Sequence, residues 1–274
     1  MRIAFQGEMG AYSEAAALTY ASGADVMACR SFEEVFAAVA GGPATHGILP
    51  MENSIAGSIH RNYDLLLDND LSITGEVELD VVHCLQALPG TRLTDVKVVY
   101  SHPQALAQCE RYLRDLGVEV EAVYDTAGGA KLVAEQKLAG AAALASRRAA
   151  EVFGLEVLQE AVQDYEYNIT RFAIIGGAAS ADANKTTIVF ALPSTPGALF
   201  KALSVFALRD INLSKLESRP IRGKPWEYLF YVDIDARRDD LPLARALTQL
   251  GEFAKWIRVL GTYKGWERKT VAAT

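Results

Sequence analysis

The sequence predicts an α/β protein of layered, largely parallel sheets, followed at its C-terminal end by a ferredoxin-like βαββαβ unit. Two rhythms predict this. Up to residue 175, short apolar strands alternate with helices of similar length, the pattern of α/β layers. From residue 185 the order becomes strand, helix, two strands, helix and strand. A third observation separates the two parts: residues 1–184 carry 12 Lys/Arg against 25 Asp/Glu, whereas residues 185–274 carry 15 against 9. The sign changes beside Gly176-Gly177-Ala178-Ala179-Ser180-Ala181-Asp182-Ala183-Asn184, a small-residue stretch that reads as a linker.

In the first part, Ile3-Ala4-Phe5 is a short apolar strand ending at Gly7, and the Ala-rich segment from Tyr12 to Ala21 is helical. Ser31 followed by Glu34 forms a capping box that opens a helix over 32–40. Gly47 to Pro50 ends a strand, and Ile59 to Leu67 has apolar residues at helical spacing. A strand follows at 96–100, a helix at 106–116, a strand at 118–123, a helix near 130–137 and a strand at 141–145. The second part has strands at 186–192, 211–217, 226–236 and 256–263, with helices at 196–208 and 241–250. In its third strand Trp226, Tyr228, Phe230, Val232 and Ile234 share one face, opposite Glu227, Leu229, Tyr231 and Asp233. A half-apolar second face favours pairing with another copy.

The 274 residues carry a net charge of −7, with half of them hydrophobic and 22% charged, which suits two globular domains. No 18-residue apolar run is present, so no membrane span, signal peptide or transit peptide is expected. Cys29, Cys84 and Cys109 are an odd number without CxxC spacing, which argues against a disulfide framework and fits a reducing cytoplasm. His46, His60 and His83 lack metal-ligand spacing, so no metal site is expected. The basic tail has neither a stacking array nor a helical stripe of cations, so no nucleic-acid partner is expected.

Four segments of the first part carry candidate chemistry. Gly7 to Ser13 joins a strand to a helix without the GxGxxG register, leaving a turn whose N–H groups could hold a carboxylate. Glu52-Asn53-Ser54-Ile55-Ala56-Gly57-Ser58 lies at the C-terminal end of a strand, where ligand crevices of open α/β sheets form. In Ser101-His102-Pro103-Gln104, Ser101 can cap a helix and Pro103 suits its first turn, while Gln104 and Gln108 share a face. Asn168-Ile169-Thr170-Arg171-Phe172 enters an apolar strand, and Arg171 is a cation in an acidic domain. In the second part, Gly197-Ala198-Leu199 opens a helix after Pro196, and Asn212 and Glu217-Ser218-Arg219-Pro220 follow on the next strand, an amino-acid site in outline.

Together these segments resemble prephenate dehydratase over essentially the whole chain, and the tail resembles the ACT regulatory domain through Pro196-Gly197-Ala198-Leu199 and Glu217-Ser218-Arg219-Pro220. The resemblance implies a two-lobed catalytic region similar to periplasmic binding proteins over residues 1–178. Lobe one would be about 1–75 plus 170–178, lobe two about 80–165, and the ACT domain 185–274. It implies a monofunctional carbon–oxygen lyase without a cofactor, turning prephenate into phenylpyruvate and inhibited by L-phenylalanine. Thr170 is then the main catalytic group, with Asn53, Ser101 and Gln108 in support and Glu52, Ser54, Arg171 and Phe172 binding substrate. Phenylalanine would sit at Gly197, Ala198, Leu199, Asn212, Glu217, Ser218, Arg219 and Pro220, between subunits of a homodimer or homotetramer. Arogenate is the alternative substrate, and a non-catalytic amino-acid sensor is the rival from another class.

Overall fold

The computed structural model describes residues 1–178, 180–221 and 223–268. Residue 179 of the expected linker, and residues 222 and 269–274 of the expected ACT domain, lie outside them. Two compact units divide the chain: Met1–Leu65 with Val77–Ile174, and Leu66–Glu76 with the chain from Ile175 onward.

The first lobe opens with β1 (Arg2–Gln6), α1 (Tyr12–Tyr20), β2 (Asp25–Cys29), α2 (Phe32–Ala40), β3 (His46–Asn53), β4 (Gly57–Ser58), α3 (His60–Asp68) and β5 (Ile73–Asp80). The second lobe follows: β6 (Cys84–Ala87), β7 (Val98–Ser101), α4 (Pro103–Gln108), α5 (Glu110–Leu116), β8 (Glu119–Ala122), α6 (Thr126–Glu135), β9 (Ala141–Ala145), α7 (Arg147–Phe153) and β10 (Glu156–Gln159). The chain then returns to the first lobe as β11 (Ile169–Ile175). Strand order is β5-β11-β3-β1-β2 in one lobe, with β4 hairpinned to β3, and β10-β6-β9-β7-β8 in the other. These two sheets with their helices make the two α/β lobes that were expected.

Local chemistry accounts for these elements. Ile3, Ala4 and Phe5 of β1 and residues 142–145 of β9 are wholly buried, as central strands covered on both faces must be. Ser31 caps α2 by accepting from the Glu34 N–H, and Glu34 reaches back to the Arg30 N–H rather than to the cap's own. The sheets are more mixed than predicted: β7 runs parallel to β8 and β9, but β6 runs antiparallel to β9 and β10. The single helix expected over 106–116 is two, broken at the fully buried Cys109 (φ −120°, ψ 21°).

The second unit consists of β12 (Lys185–Ala191), α8 (Ala198–Ala207), β13 (Leu213–Pro220), β14 (Tyr228–Ile234), α9 (Leu241–Phe253) and β15 (Trp256–Lys264). This is the predicted βαββαβ order. Its sheet runs β13-β14-β12-β15, and β15 pairs in parallel with the first residues of β5 (Gly261 with Ile73). Ile188, Phe190, Val232 and Ile234 pack against Val205 and Phe206 of α8 and Leu243, Ala246 and Leu250 of α9. On the other face Thr187 donates to Asp233 at 2.7 Å and lies 2.8 Å from the Tyr263 hydroxyl, so that face is a polar cluster at its centre rather than an open apolar surface.

Candidate active site

The strand β11 assembles the site. Side chains alternate along a strand, so Asn168, Thr170 and Phe172 turn to one side, each no more than 7% exposed, and Arg171 turns to the other. Thr170 and Phe172 line a pocket of about 170 Å³ with Tyr12, Ser13, Pro50, Asn53, Ile59, Val81, His83, His102, Gln104, Ala105, Gln108 and Thr126. Both lobes of the first unit contribute. None of these lining residues is Lys or Arg.

The buried polar side chains around Thr170 form one hydrogen-bonded network. Asn53 Oδ1 accepts the N–H groups of Ile55 (3.1 Å) and Ala56 (2.9 Å), which the turn into β4 presents to it. Its Nδ2 donates to Asn168 Oδ1 at 2.7 Å and to Thr170 Oγ at 3.0 Å. Asn168 Nδ2 donates to Gln108 Oε1 at 2.9 Å, and Gln108 Nε2 points at Asn53 Oδ1 across 3.5 Å. His83 Nε2 lies 2.8 Å from the same Gln108 Oε1, and its Nδ1 lies 2.9 Å from the Tyr12 hydroxyl. Thr170 Oγ thus accepts from Asn53 and keeps its own proton to donate.

Burial sets the protonation states nearby. It pushes the His83 imidazole down, against the Gln108 hydrogen bond, which favours the neutral ring. It pushes the Tyr12 phenol far up. His102 is likewise lowered by burial, with Asp125 acting the other way. Asp125 is raised by burial although the Gly128 and Glu8 N–H groups hold its carboxylate.

Several expected site residues stand elsewhere. Ser101 is wholly buried and donates to the Leu144 carbonyl at 2.6 Å, outside the pocket lining; the cap of α4 is the His102 ring, which accepts the Gln104 N–H. Ser54 stitches β3 to β11: its Oγ accepts the Ile169 N–H and donates to the Tyr167 carbonyl. Glu52 and Arg171 face each other at 3.4 Å, away from the pocket lining. The alternation that puts Thr170 in the pocket excludes its neighbour from it.

The Gly7–Ser13 turn is an interlobe contact rather than an open anion cradle. Glu8 N donates to Asp125, Gly10 N to the buried Glu14 carboxylate, and Gly10 O accepts from Ser146. Glu14 in turn pairs with Arg148 of the other lobe. Gly10 sits at φ +88°, and a Cβ there would lie 2.7 Å from the Ala149 Cα, so only glycine lets the lobes approach this closely.

In the second unit, Gly197 caps α8 in the left-handed region (φ 74°), with Ala198 and Leu199 in its first turn. Asn212 donates to Asp235, and Glu217 lies 4.0 Å from Lys215 on β13. Glu217 and Arg219 alternate with the more exposed Ser218 and Pro220, so the four do not converge on one face of the strand.

A family model described as prephenate dehydratase matches residues 3–180, and one described as ACT domain matches residues 186–252. This chain belongs to the prephenate dehydratase family. Arogenate dehydratase/prephenate dehydratase 2, chloroplastic, of Arabidopsis thaliana is 48% identical over 96% of this chain and 72% of its own length. The prephenate dehydratase of Arthrobacter aurescens, solved in complex with L-Phe, superposes with a TM-score of 0.86 at 32% identity, over 96% of this chain and 90% of that one. GqqA, a quorum-quenching acylase, superposes with a TM-score of 0.90 at 36% identity, over 97% and 98%.

The family's dehydratase class of activity, on prephenate or arogenate in aromatic amino acid biosynthesis, is therefore that of this chain. The expected cytoplasmic setting is overturned, because the Arabidopsis relative is chloroplastic. Buried free thiols at Cys29, Cys84 and Cys109 fit any reducing compartment, so they could not discriminate.

Within this family fold, residues the sequence reading assigned no role line the pocket or feed its network. Asn168 was legible in principle, two residues before Thr170 on the same face of a strand. Tyr12 lies within the Gly7–Ser13 segment, whereas nothing local marks His83.

Proposed function

We propose that this chain is a prephenate dehydratase that releases phenylpyruvate, carbon dioxide and water, with Thr170 as the donor to the departing hydroxyl. In this reaction the bond from ring to carboxylate breaks and its electron pair enters the ring. The ring–oxygen bond breaks at the far carbon, and the leaving hydroxide, held by the Thr170 hydrogen bond, takes up a proton, which solvent restores to Thr170, and leaves as water. Aromaticity supplies the driving force, so the barrier lies in expelling hydroxide. The observation that carries the reading is the Thr170 hydroxyl in the pocket, accepting from Asn53 at 3.0 Å with its proton available. A positioned donor is worth roughly 10²–10⁴-fold.

The lining of neutral donors suits this step. A guanidinium clamped on the departing carboxylate would stabilise the ground state as much as the transition state, whereas amides and ring N–H groups let the charge leave. Thr126 in the first turn of α6 and Ser13 in that of α1 add hydroxyls to the same pocket for the remaining carboxylate.

For the second unit, the L-Phe complex of the Arthrobacter relative supports phenylalanine as inhibitor. The edge position of β13, which carries Glu217 to Pro220, supports a homodimer or homotetramer built by adding a second copy there. A serine or threonine that attacks an acyl group needs its hydroxyl activated by a base. Here Ser101 donates to a carbonyl and Thr170 accepts from an amide. The test is phenylpyruvate formation from prephenate, beside arogenate turnover, with and without phenylalanine. Faster turnover of arogenate, or no response to phenylalanine, would overturn the corresponding part.

A further inference from the structure

The network beneath Thr170 has a direction, and it can be followed from a fixed end. The N–H groups of Ile55 and Ala56 can only donate, so the oxygen of Asn53 faces them and its NH2 faces Asn168 and Thr170. Asn168 therefore offers its oxygen to Asn53 and its NH2 to Gln108, and Gln108 must present Oε1 there. That same oxygen meets His83 Nε2 at 2.8 Å, so the histidine nitrogen has to carry a proton. The Tyr12 hydroxyl stands 2.9 Å from the other ring nitrogen, Nδ1, and gives its one proton to the Val82 carbonyl at 2.8 Å, so the proton that the network fixes on the ring is the one at Nε2.

We propose that His83 is a positioning residue for the dehydration: its Nε2–H holds Gln108 and, through Asn168, Asn53 in the orientation that leaves the Thr170 proton free for substrate. The opposite tautomer would set a lone pair against Gln108 Oε1. Turning the Gln108 amide to relieve this sets NH2 against the NH2 of Asn168, and the mismatch passes to Asn53. His83, Gln108, Asn168 and Asn53 are each at most 7% exposed, so water cannot repair it. The proposal rests on the reading of Thr170 given above.

The test has a spectroscopic arm that needs no turnover. In the 15N spectrum of the intact protein, the His83 ring, assigned by its loss in His83→Gln, is expected to carry a proton at Nε2 and to keep it in Tyr12→Phe. A ring protonated at Nδ1 alone in the unmutated protein would overturn the proposal. In the kinetic arm, His83→Gln restores a donor at the Nε2 position and should keep kcat within about threefold. His83→Asn reaches only the Nδ1 position and should lower kcat roughly tenfold or more while KM stays within about threefold. Equal kcat for the two variants would also overturn it. If Thr170→Val instead turns over normally, the donor role of Thr170 fails, and the protonation of His83 at Nε2 still reports separately on its hold on Gln108.

Discussion

Around Thr170 the first unit buries Asn53, Gln108, Asn168 and His83, whereas the centre of the second unit buries Ile188, Phe190, Val205, Phe206, Val232 and Leu243. Both interiors are closed to water, but they answer different demands. An apolar core needs volume and tolerates exchange among similar shapes. A buried polar network needs every donor to meet an acceptor, and one wrong group disturbs the rest. Changes near β11 should therefore appear in turnover, and changes between β12 and α8 in stability.

The largest effect that sharpens this contrast is expected at Thr170→Val, which keeps shape and removes the donor. Steady-state kinetics should show kcat lower by roughly 10²–10⁴-fold, with the melting temperature nearly unchanged. Phe190→Ala is its counterpart in the second unit. It should destabilise that unit by about 3–5 kcal/mol in urea unfolding while the turnover of folded protein persists. A kcat loss at Phe190 equal to that at Thr170 would break the comparison.

Arg171→Ala is the next in size. Its guanidinium pairs with Glu52 on the face of β11 opposite Thr170, so KM should rise by no more than a few-fold, in keeping with about 1 kcal/mol for a partly exposed pair. A hundredfold rise would place Arg171 on the substrate.

The smallest effect is on the pH dependence of stability. Burial depresses the folded-state pKa of His83, so the unfolded chain binds the extra proton. Stability is full above the ordinary imidazole value of about 6.5 and declines as pH falls from there through the folded value. His46 and His102 are lowered in the same direction, so His83→Gln should flatten the decline in part, read as melting temperature against pH.

The strands and helices with strong periodicity were legible: β1, α2, β9 and the βαββαβ order of the second unit follow from apolar spacing and capping residues. The strands at Asp25–Cys29, Ile73–Asp80, Cys84–Ala87 and Glu156–Gln159 were not, because short segments of mixed polarity become strands only when a neighbour pairs with them. In the site, Asn53, Gln108, Thr170 and Phe172 were readable from motifs and strand ends. Ser101 and Arg171 were read as site residues, yet Ser101 lies beneath the pocket and Arg171 behind it. A motif names neighbours along the chain, whereas a strand sends neighbours to opposite faces.

From the sequence alone came the two-part plan, through composition, periodicity and order along the chain, and the family and the hydroxyl at Thr170, through the resemblance its motifs carry. Tertiary structure alone decided which way Thr170 points its proton, that Tyr12 and His83 stand behind it, and that among the described residues no lysine or arginine lines the pocket. Tyr12, His83 and Thr170 are far apart in sequence, and hydrogen-bond polarity is a property of atoms that meet only once both lobes have folded.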